Sequence, residues 1–110
     1  MYTFNATISI NPVYNPYYFY ASAGGSSYTD IGWTVYFVGD VGDDWFYGDG
    51  FSDTMWGDDG DDVLVGGGGD DDLYGGNDHD ILVGGEGDDD LYGGAGNDQF
   101  DAGPGSDAHY

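Results

Sequence analysis

A nine-residue repeat constrains this chain more than any other feature of its sequence. Residues 57–92 form four consecutive units of the type Gly-Gly-x-Gly-x-Asp-x-U-x, where U is a large apolar residue. The frame extends in both directions, and its eight units begin at Gly39, Gly48, Gly57, Gly66, Gly75, Gly84, Gly93 and Ala102. A fixed short period predicts a solenoid in which each unit supplies one turn and one short strand.

Two positions of the unit keep their chemistry along the chain. The sixth position is always aspartate: Asp44, Asp53, Asp62, Asp71, Asp80, Asp89, Asp98 and Asp107. The eighth is apolar in seven of eight units: Phe46, Met55, Leu64, Leu73, Leu82, Leu91 and Phe100, with His109 last. Because side chains after the aspartate alternate outward and inward along a strand, the eighth position is predicted to fill the core.

A second period of 18 residues lies on top of the first. Units 57–65 and 75–83 end in Leu-Val, whereas units 66–74 and 84–92 end in Leu-Tyr. Each unit therefore resembles the unit two positions further along the chain. This is expected when two units make one coil with strands on opposite faces. The predicted fold is all-β, a parallel β-roll or β-helix solenoid with 18 residues in each coil.

The glycines and aspartates together indicate cation binding. Glycine permits positive φ and a close approach of backbone to ligand, so the turn can aim carbonyl oxygens inward. Strands in adjacent coils lie about 4.8 Å apart, which brings the carboxylates of alternate units together. Carboxylates this close repel each other unless a divalent cation lies between them, which couples folding to metal.

These units resemble the RTX (repeats-in-toxin) family, whose repeats form a parallel β-roll that holds calcium with aspartate side chains and backbone carbonyls. The resemblance covers residues 39–110 and implies that the eight aspartates above bind metal together with Gly39, Gly57, Gly66, Gly75, Gly84 and Gly93. Pairing each unit with the unit 18 residues later gives about six Ca²⁺ ions within one chain.

Several units depart from the pattern. Phe51 occupies the fourth position of unit 48–56 and puts the pairing of units 48 and 66 in doubt. Asp78 occupies it in unit 75–83, where it either adds a ligand or distorts the turn. The second position is aspartate in three units, at Asp40, Asp49 and Asp58. The pairs expected to be complete are Asp44–Asp62 and Asp71–Asp89.

Residues 1–38 lack the glycine–aspartate turn but have strand patterns. Residues 3–10 and 31–38 alternate, and a run of aromatic residues occupies 17–20. The frame continued backwards puts the eighth position on Ile10, Phe19, Tyr28 and Phe37, which predicts metal-free coils. The other interpretation is an N-terminal segment that caps the roll or mediates assembly, because solenoids need distinctive end units. The chain therefore divides into a strand-forming segment, 1–38, and eight repeats, 39–110.

The charge balance limits the partners and the chemistry. The chain has 22 acidic residues and no Lys or Arg, so no cationic patch exists to bind nucleic acid or anionic membrane. The absence of Cys excludes disulfides and thiolate metal sites. No run is long enough to insert into a membrane, and no basic segment marks a signal peptide, which leaves a processed or leaderless form open. No HExxH, GxSxG or P-loop motif occurs, and we predict no enzyme activity.

Two outward stripes carry further information. On one face, positions seven and nine are apolar in three units, at Trp45/Tyr47, Val63/Val65 and Ile81/Val83, before they become polar at Gln99/Asp101. We expect this stripe to be covered by strands of residues 1–38 or by another copy of the chain. On the other face, aromatic residues recur every 18 positions, at Trp56, Tyr74, Tyr92 and Tyr110. This second stripe indicates either mutual stacking or a carbohydrate-binding strip.

The sequence therefore predicts an extracellular, secreted or cell-surface structural protein that folds on Ca²⁺. Calcium modules outside cells bind at about 10⁻⁴–10⁻³ M. Unpaired strand edges at the end of a roll favour self-association, head to tail or laterally, into a filament or surface layer. The alternatives are a calcium-folded C-terminal repeat module of a larger RTX toxin or hydrolase, which aids secretion and folding, and a glycan-binding adhesin.

Overall fold

The computed structural model describes the backbone of residues 6–7, 18–21, 27–29 and 36–110, and the side chains of residues 36–110. All regular structure within these ranges is β-strand, as predicted. The strands are β1 (Ala6–Thr7), β2 (Tyr18–Ala21), β3 (Ser27–Thr29), β4 (Tyr36–Val38), β5 (Trp45–Tyr47), β6 (Thr54–Asp58), β7 (Val63–Gly68), β8 (Asp72–Gly76), β9 (Ile81–Glu86), β10 (Asp90–Gly94), β11 (Gln99–Asp101) and β12 (Ala108–His109).

The chain alternates between two sheets as it advances. The seven-stranded sheet has the order β1-β2-β4-β6-β8-β10-β12, and the five-stranded sheet has the order β11-β9-β7-β5-β3. Parallel neighbours pair residues 18 positions apart, so Leu73 lies between Met55 and Leu91 in one sheet. In the other sheet, Leu64 lies between Phe46 and Leu82. Two units therefore make one coil, and the predicted parallel β-roll is confirmed.

The coil continues upstream of the first glycine–aspartate unit. Phe19 pairs with Phe37, and Tyr28 pairs with Phe46, again at a spacing of 18 residues. These pairings favour the backward continuation of the frame for the described strands. Among the described strands, only β1 departs from the solenoid direction, because it pairs antiparallel with β2 at the edge of the larger sheet. Ile10 and most of the predicted strands at 3–10 and 31–38 lie outside the described residues.

The eighth-position side chains form one apolar column between the sheets. No accessible surface remains on Phe46, Met55, Leu64, Leu73, Leu82 and Leu91. Phe37 extends the column at one end with 2% exposure, and Phe100 is partly buried at the other. Burial of each large apolar side chain contributes about 1.5–3 kcal/mol. The predicted core is confirmed except at His109, which is exposed.

Left-handed backbone explains the glycines at positions two and four. From Gly57 onward, every unit has positive φ at both positions. Gly85 has φ of 101°, and a Cβ there would collide with the carbonyl oxygen of Gly67 in the preceding coil. Asp58 and Asp78 adopt the same conformation without being glycine, with φ of 80° and 73°. Asp78 therefore keeps the turn undistorted, and its Oδ2 accepts the N–H of Gly60 at 3.2 Å.

The outer face of the seven-stranded sheet carries an aromatic ladder. Trp56 and Tyr74 stack with ring centroids 5.7 Å apart, and the two following steps, to Tyr92 and Tyr110, are both 4.8 Å. Tyr36 stacks on Trp56 at 6.2 Å and extends the ladder upstream. The planes of neighbouring rings differ by 5° to 14°, so the rings cover one another's faces.

The outer face of the five-stranded sheet carries the apolar stripe. Trp45 and Ile81 remain 43% and 40% exposed. Half-buried residues complete the stripe: Tyr47, Val63, Val65 and Val83. The described N-terminal strand in this sheet, β3, pairs beside β5 and extends the sheet instead of crossing its face. The stripe is therefore an open apolar surface with respect to the strands that the structure describes.

Candidate metal sites

The sixth-position aspartates form two columns, one for each set of alternate units. Those fully enclosed, with at most 1% exposure, are Asp44, Asp53, Asp62, Asp71, Asp80 and Asp89. Asp98 and Asp107 are half-buried in the last coil. The structure therefore brings the predicted ligands together along each column, 18 residues apart.

One carboxylate oxygen of these aspartates links successive coils. The backbone N–H of Asp62 donates to Oδ1 of Asp80 at 2.9 Å. The same bond joins Asp44 to Asp62, Asp53 to Asp71, Asp71 to Asp89, Asp80 to Asp98 and Asp89 to Asp107, at 2.7–2.9 Å. Hydrogen bonds to a charged acceptor contribute about 1.5–3 kcal/mol each. These bonds fix the register of the coils.

The second carboxylate oxygen has no such partner in the middle of the roll. Oδ2 is buried without a hydrogen bond in Asp62, Asp71, Asp80 and Asp89. Burying a charged oxygen without a partner is strongly unfavourable, and buried charges in proteins are paired or coordinate metals. Four buried oxygens without a hydrogen bond, at equivalent positions of the repeat, therefore fit the coordination of a cation.

Each orphaned oxygen faces a first-position glycine and a carbonyl of the next coil. A Cβ built on Gly75 would lie 2.7 Å from the carbonyl oxygen of Gly93 and closer still to Oδ2 of Asp80. The same arrangement surrounds Gly57, Gly66 and Gly84, facing the carbonyls of Gly75, Gly84 and Ala102. Gly39 likewise faces Gly57, and Gly93 faces Asp98. Carboxylate and carbonyl oxygens thus converge on a space that any side chain at position one would fill.

Burial also opposes ionisation of these carboxylates. Desolvation, with repulsion from neighbouring carboxylates, raises the pKa of Asp62 and of Asp71 to about 8. The same causes raise the pKa of Asp80 to about 6 and also raise the pKa of Asp89. The backbone N–H bond from the preceding coil opposes the shift in each case. A cation beside these groups would favour their charged form.

The donor set fits calcium. Within residues 36–110, no three side chains of His, Cys, Asp or Glu converge on one point, so a cation would draw its further ligands from backbone carbonyls. Oxygen-only donors suit hard cations, and Ca²⁺ accepts six to eight oxygens in flexible geometry, at roughly 2.3–2.6 Å. Mg²⁺ demands near-ideal octahedral geometry and fits such a turn less well.

The first two units have a different backbone. Asp40, Asp49 and Phe51 occupy second and fourth positions, yet none of them has positive φ. Phe51 is 50% exposed. The departure of unit 48–56 from the sequence pattern therefore corresponds to a different backbone conformation in its turn. Unit 39–47, expected to match the later units, differs from them as well.

Local hydrogen bonds close these two turns. Oδ1 of Asp40 accepts the N–H of Gly42 at 3.0 Å, and Oδ1 of Asp49 accepts the N–H of Phe51 at 3.0 Å. Oδ2 of Asp44 accepts the N–H of Asp40 at 3.1 Å. Side-chain bonds within one unit occur only here in the described part of the chain. The side-chain bonds of the later units join residues 18 positions apart, as further bonds of the first two units also do.

A third set of links between coils involves the fifth position of the repeat. Asp61 donates its N–H to Oδ1 of Asp43 at 2.8 Å, and His79 donates its N–H to Oδ1 of Asp61 at 3.0 Å. The N–H of Asn97 in turn donates to Nδ1 of His79 at 2.9 Å. The signal that predicts this ladder is a short polar side chain or histidine at the fifth position of every unit.

Comparison with known proteins gives one match. The family model described as RTX calcium-binding nonapeptide repeat, in four copies, matches residues 38–73 and 74–108. Comparisons with curated proteins and with solved structures gave no match. No helix in the described residues is long and apolar enough to span a membrane. The matched residues contain all eight sixth-position aspartates and the glycines that line the oxygen-rich spaces.

Proposed function

The chain belongs to the RTX calcium-binding nonapeptide repeat family, and from that premise we propose that it is a secreted structural protein that folds on calcium and associates with its own copies. Repeats of this family form calcium-binding β-rolls, which are structural modules and not typically catalytic. They are typically found in secreted proteins. A structural role outside the cell follows most directly from these properties.

The orphaned oxygens carry the calcium part of the proposal. Four buried Oδ2 atoms face carbonyl oxygens across spaces kept open by glycine. Ca²⁺ would supply the positive charge that a chain without Lys or Arg cannot supply itself. The several ions would be held mainly by Asp62, Asp71, Asp80 and Asp89 with backbone carbonyls.

The open apolar stripe supports association between copies. The side chains that form the stripe on β5, β7 and β9 are all uncharged, although the chain has a formal net charge of −22. Two copies can therefore bring these faces together without opposing their carboxylates. Bound calcium would lower the remaining repulsion between them. Assembly is thus expected to follow folding and to require calcium.

The glycan-binding alternative has less support. Sugars bind aromatic side chains through exposed ring faces, whereas the ladder rings cover one another's faces. The stacked rings instead favour a role in stiffening the sheet. The remaining alternative, a repeat module of a larger toxin or hydrolase, needs the same calcium-dependent roll but no contact between copies.

Sedimentation velocity across a calcium titration tests the proposal. We expect a monomer in chelator and larger species at millimolar calcium. Ile81→Glu should abolish association, whereas Gln99→Glu should not. Both add one negative charge at the seventh position of adjacent coils, but only Ile81 belongs to the stripe. A monomer at all calcium concentrations would contradict self-association and favour the repeat-module alternative.

A further inference from the structure

We infer that two copies of the chain pair through the apolar stripe with their solenoid axes antiparallel, so that β5 of one copy lies on β9 of the other. The solenoid axis is the direction along which the coils stack. The inference rests on the proposed self-association and adds the orientation of the partner. It is carried by the order of side-chain sizes along the stripe and by the charge at its end.

The stripe changes in side-chain size from strand to strand. β5 carries two large aromatic side chains, Trp45 and Tyr47, which pack edge to face with ring centroids 6.4 Å apart. The next two strands of this sheet carry only β-branched side chains in the stripe: Val63 and Val65 on β7, and Ile81 and Val83 on β9. The β5 end of the stripe is therefore bulky, and its β7 and β9 portions are low.

Two copies that join by the same face are related by a two-fold axis in the plane of the interface. An axis along the solenoid direction places each strand on its own counterpart, β5 on β5 and β9 on β9. An axis along the strand direction, passing through β7, places β5 on β9 and β7 on itself. The two arrangements differ in which side chains meet.

Side-chain size favours the second arrangement. With β5 on β5, Trp45 and Tyr47 of both copies meet, and four large rings hold the sheets apart at that end. Ile81 and Val83 at the other end would then face a gap and lose dispersion contacts. With β5 on β9, each end of the interface pairs large with smaller side chains. The two sheets can then keep an even separation of about 10 Å, as packed sheets do.

The charge at the end of the stripe favours the same arrangement. Beyond β9, strand β11 presents Gln99 and Asp101, both exposed. With β5 on β5, β11 lies on β11, and the two Asp101 carboxylates come to the same end of the interface. With β5 on β9, β11 lies on β3, whose sequence Ser-Tyr-Thr carries no charge. Because the chain has no Lys or Arg to pair with Asp101, only the second arrangement avoids like-charge contact.

The size of the stripe makes complete contact necessary. It offers six uncharged side chains, of which Trp45 and Ile81 remain 43% and 40% exposed. A standard interface has roughly 20–30 residues a side. A face this small forms only a weak pair, and an orientation that left the β9 end unpacked would lose a third of it. The antiparallel orientation brings all three strands into contact.

Paramagnetic relaxation between copies tests the orientation at high protein concentration. The chain has no Cys, so Gln99→Cys takes a single nitroxide label beside the stripe. In calcium, this labelled copy is mixed with unaltered, isotope-labelled chain, so that broadening reports only contacts between copies. We expect broadened amide signals for residues 45–47 and sharp signals for residues 99–101. The reverse pattern would overturn the antiparallel orientation but leave self-association intact, and no broadening in either segment would overturn both.

A reciprocal exchange of side chains tests the size argument. Trp45→Ile leaves a gap opposite Ile81 of the other copy, and Ile81→Trp sets two large rings against each other. Each change should lower the association constant at least about tenfold, which corresponds to 1.4 kcal/mol. Trp45→Ile combined with Ile81→Trp restores large against small at both ends and should recover association to within about threefold of the unaltered chain.

Circular dichroism in calcium verifies that each variant folds, and sedimentation velocity measures its association. A combined variant as weak as the single variants would overturn the inference. Stronger association of Ile81→Trp would also overturn it, because that change fills the gap expected with β5 on β5. Single variants that associate like the unaltered chain would exclude the stripe as the interface.

Discussion

Asp71 donates its backbone N–H to Oδ1 of Asp89 across 2.8 Å, while Oδ2 of both carboxylates is buried without a hydrogen bond. One oxygen therefore builds the stack of coils, and the other leaves a charge to be neutralised. The same aspartates determine register and create the demand for a cation. Folding and calcium binding are coupled because they use two atoms of one side chain.

Asp71→Ala should remove more calcium-dependent structure than Asp53→Ala. Asp71 lies in the middle of its column, and its loss leaves the N–H of Asp53 without an acceptor, which costs about 1–3 kcal/mol besides the lost metal ligand. Asp53 belongs to the unit whose turn is closed by Asp49. Calcium titrations followed by circular dichroism compare the two variants, and equal losses would contradict this ranking.

The metal-free protein should lose stability as pH rises. Asp62 and Asp71 have a pKa of about 8 when folded, against an ordinary value of 3.8. Between these values the folded chain holds more protons than the unfolded chain, so stability falls with increasing pH. Circular dichroism in excess chelator across this range measures the trend, because the fraction of folded metal-free protein should fall as these carboxyl groups ionise.

A matched variant separates the effect of these two carboxyl groups on stability from the effect of the net charge of the chain. Asp62→Asn combined with Asp71→Asn removes both titrations and should flatten the pH dependence. In the unaltered protein, calcium should bind with release of protons, because the ion replaces them on the buried carboxylates. Metal-free stability that increases toward pH 8 would be incompatible with these pKa shifts.

Gly85→Ala should destabilise the calcium-loaded roll severely. The residue has φ of 101°, and a Cβ would overlap the carbonyl oxygen of Gly67. Strain and displacement of the coil together are expected to cost at least about 2 kcal/mol. Gly68→Ala is the control, because its Cβ would meet nothing closer than 3.5 Å. Urea unfolding in saturating calcium should give a lower midpoint for Gly85→Ala than for Gly68→Ala. Similar midpoints would show that the space between coils at position two can accommodate a Cβ.

Asp58→Gly should stabilise the protein. Asp58 has φ of 80°, and glycine removes a penalty of roughly 1–2 kcal/mol for left-handed backbone. Asp58→Asn removes the same charge but keeps the Cβ, so it isolates the backbone effect. Thermal unfolding in calcium measures both, and a glycine variant no more stable than the asparagine variant would refute the assignment of strain.

The sequence predicts the period, the coil, the core column and both outward stripes, because each depends only on the order of residue types. It does not predict the turn conformation of the first coil. Asp40, Asp49 and Asp58 occupy the same position of the repeat, yet only Asp58 has positive φ. These three aspartates differ in backbone φ because a local hydrogen bond can close the turn in another way. In unit 48–56, for example, the N–H of Phe51 donates to the side chain of Asp49. Similarly, the place of His79 in the fifth-position ladder depends on which coils stack.

Cations are expected to stabilise the turns of the repeats from Gly57 onward. Amide NMR spectra of one sample, recorded in excess chelator and then in excess calcium, test this most directly. We predict that the amide signals of residues 57–110 lie in the narrow chemical-shift range of an unfolded chain in chelator and become dispersed on addition of calcium. Magnesium at the same concentration should not disperse them. Dispersed signals for these residues in chelator, unchanged by calcium, would contradict the account.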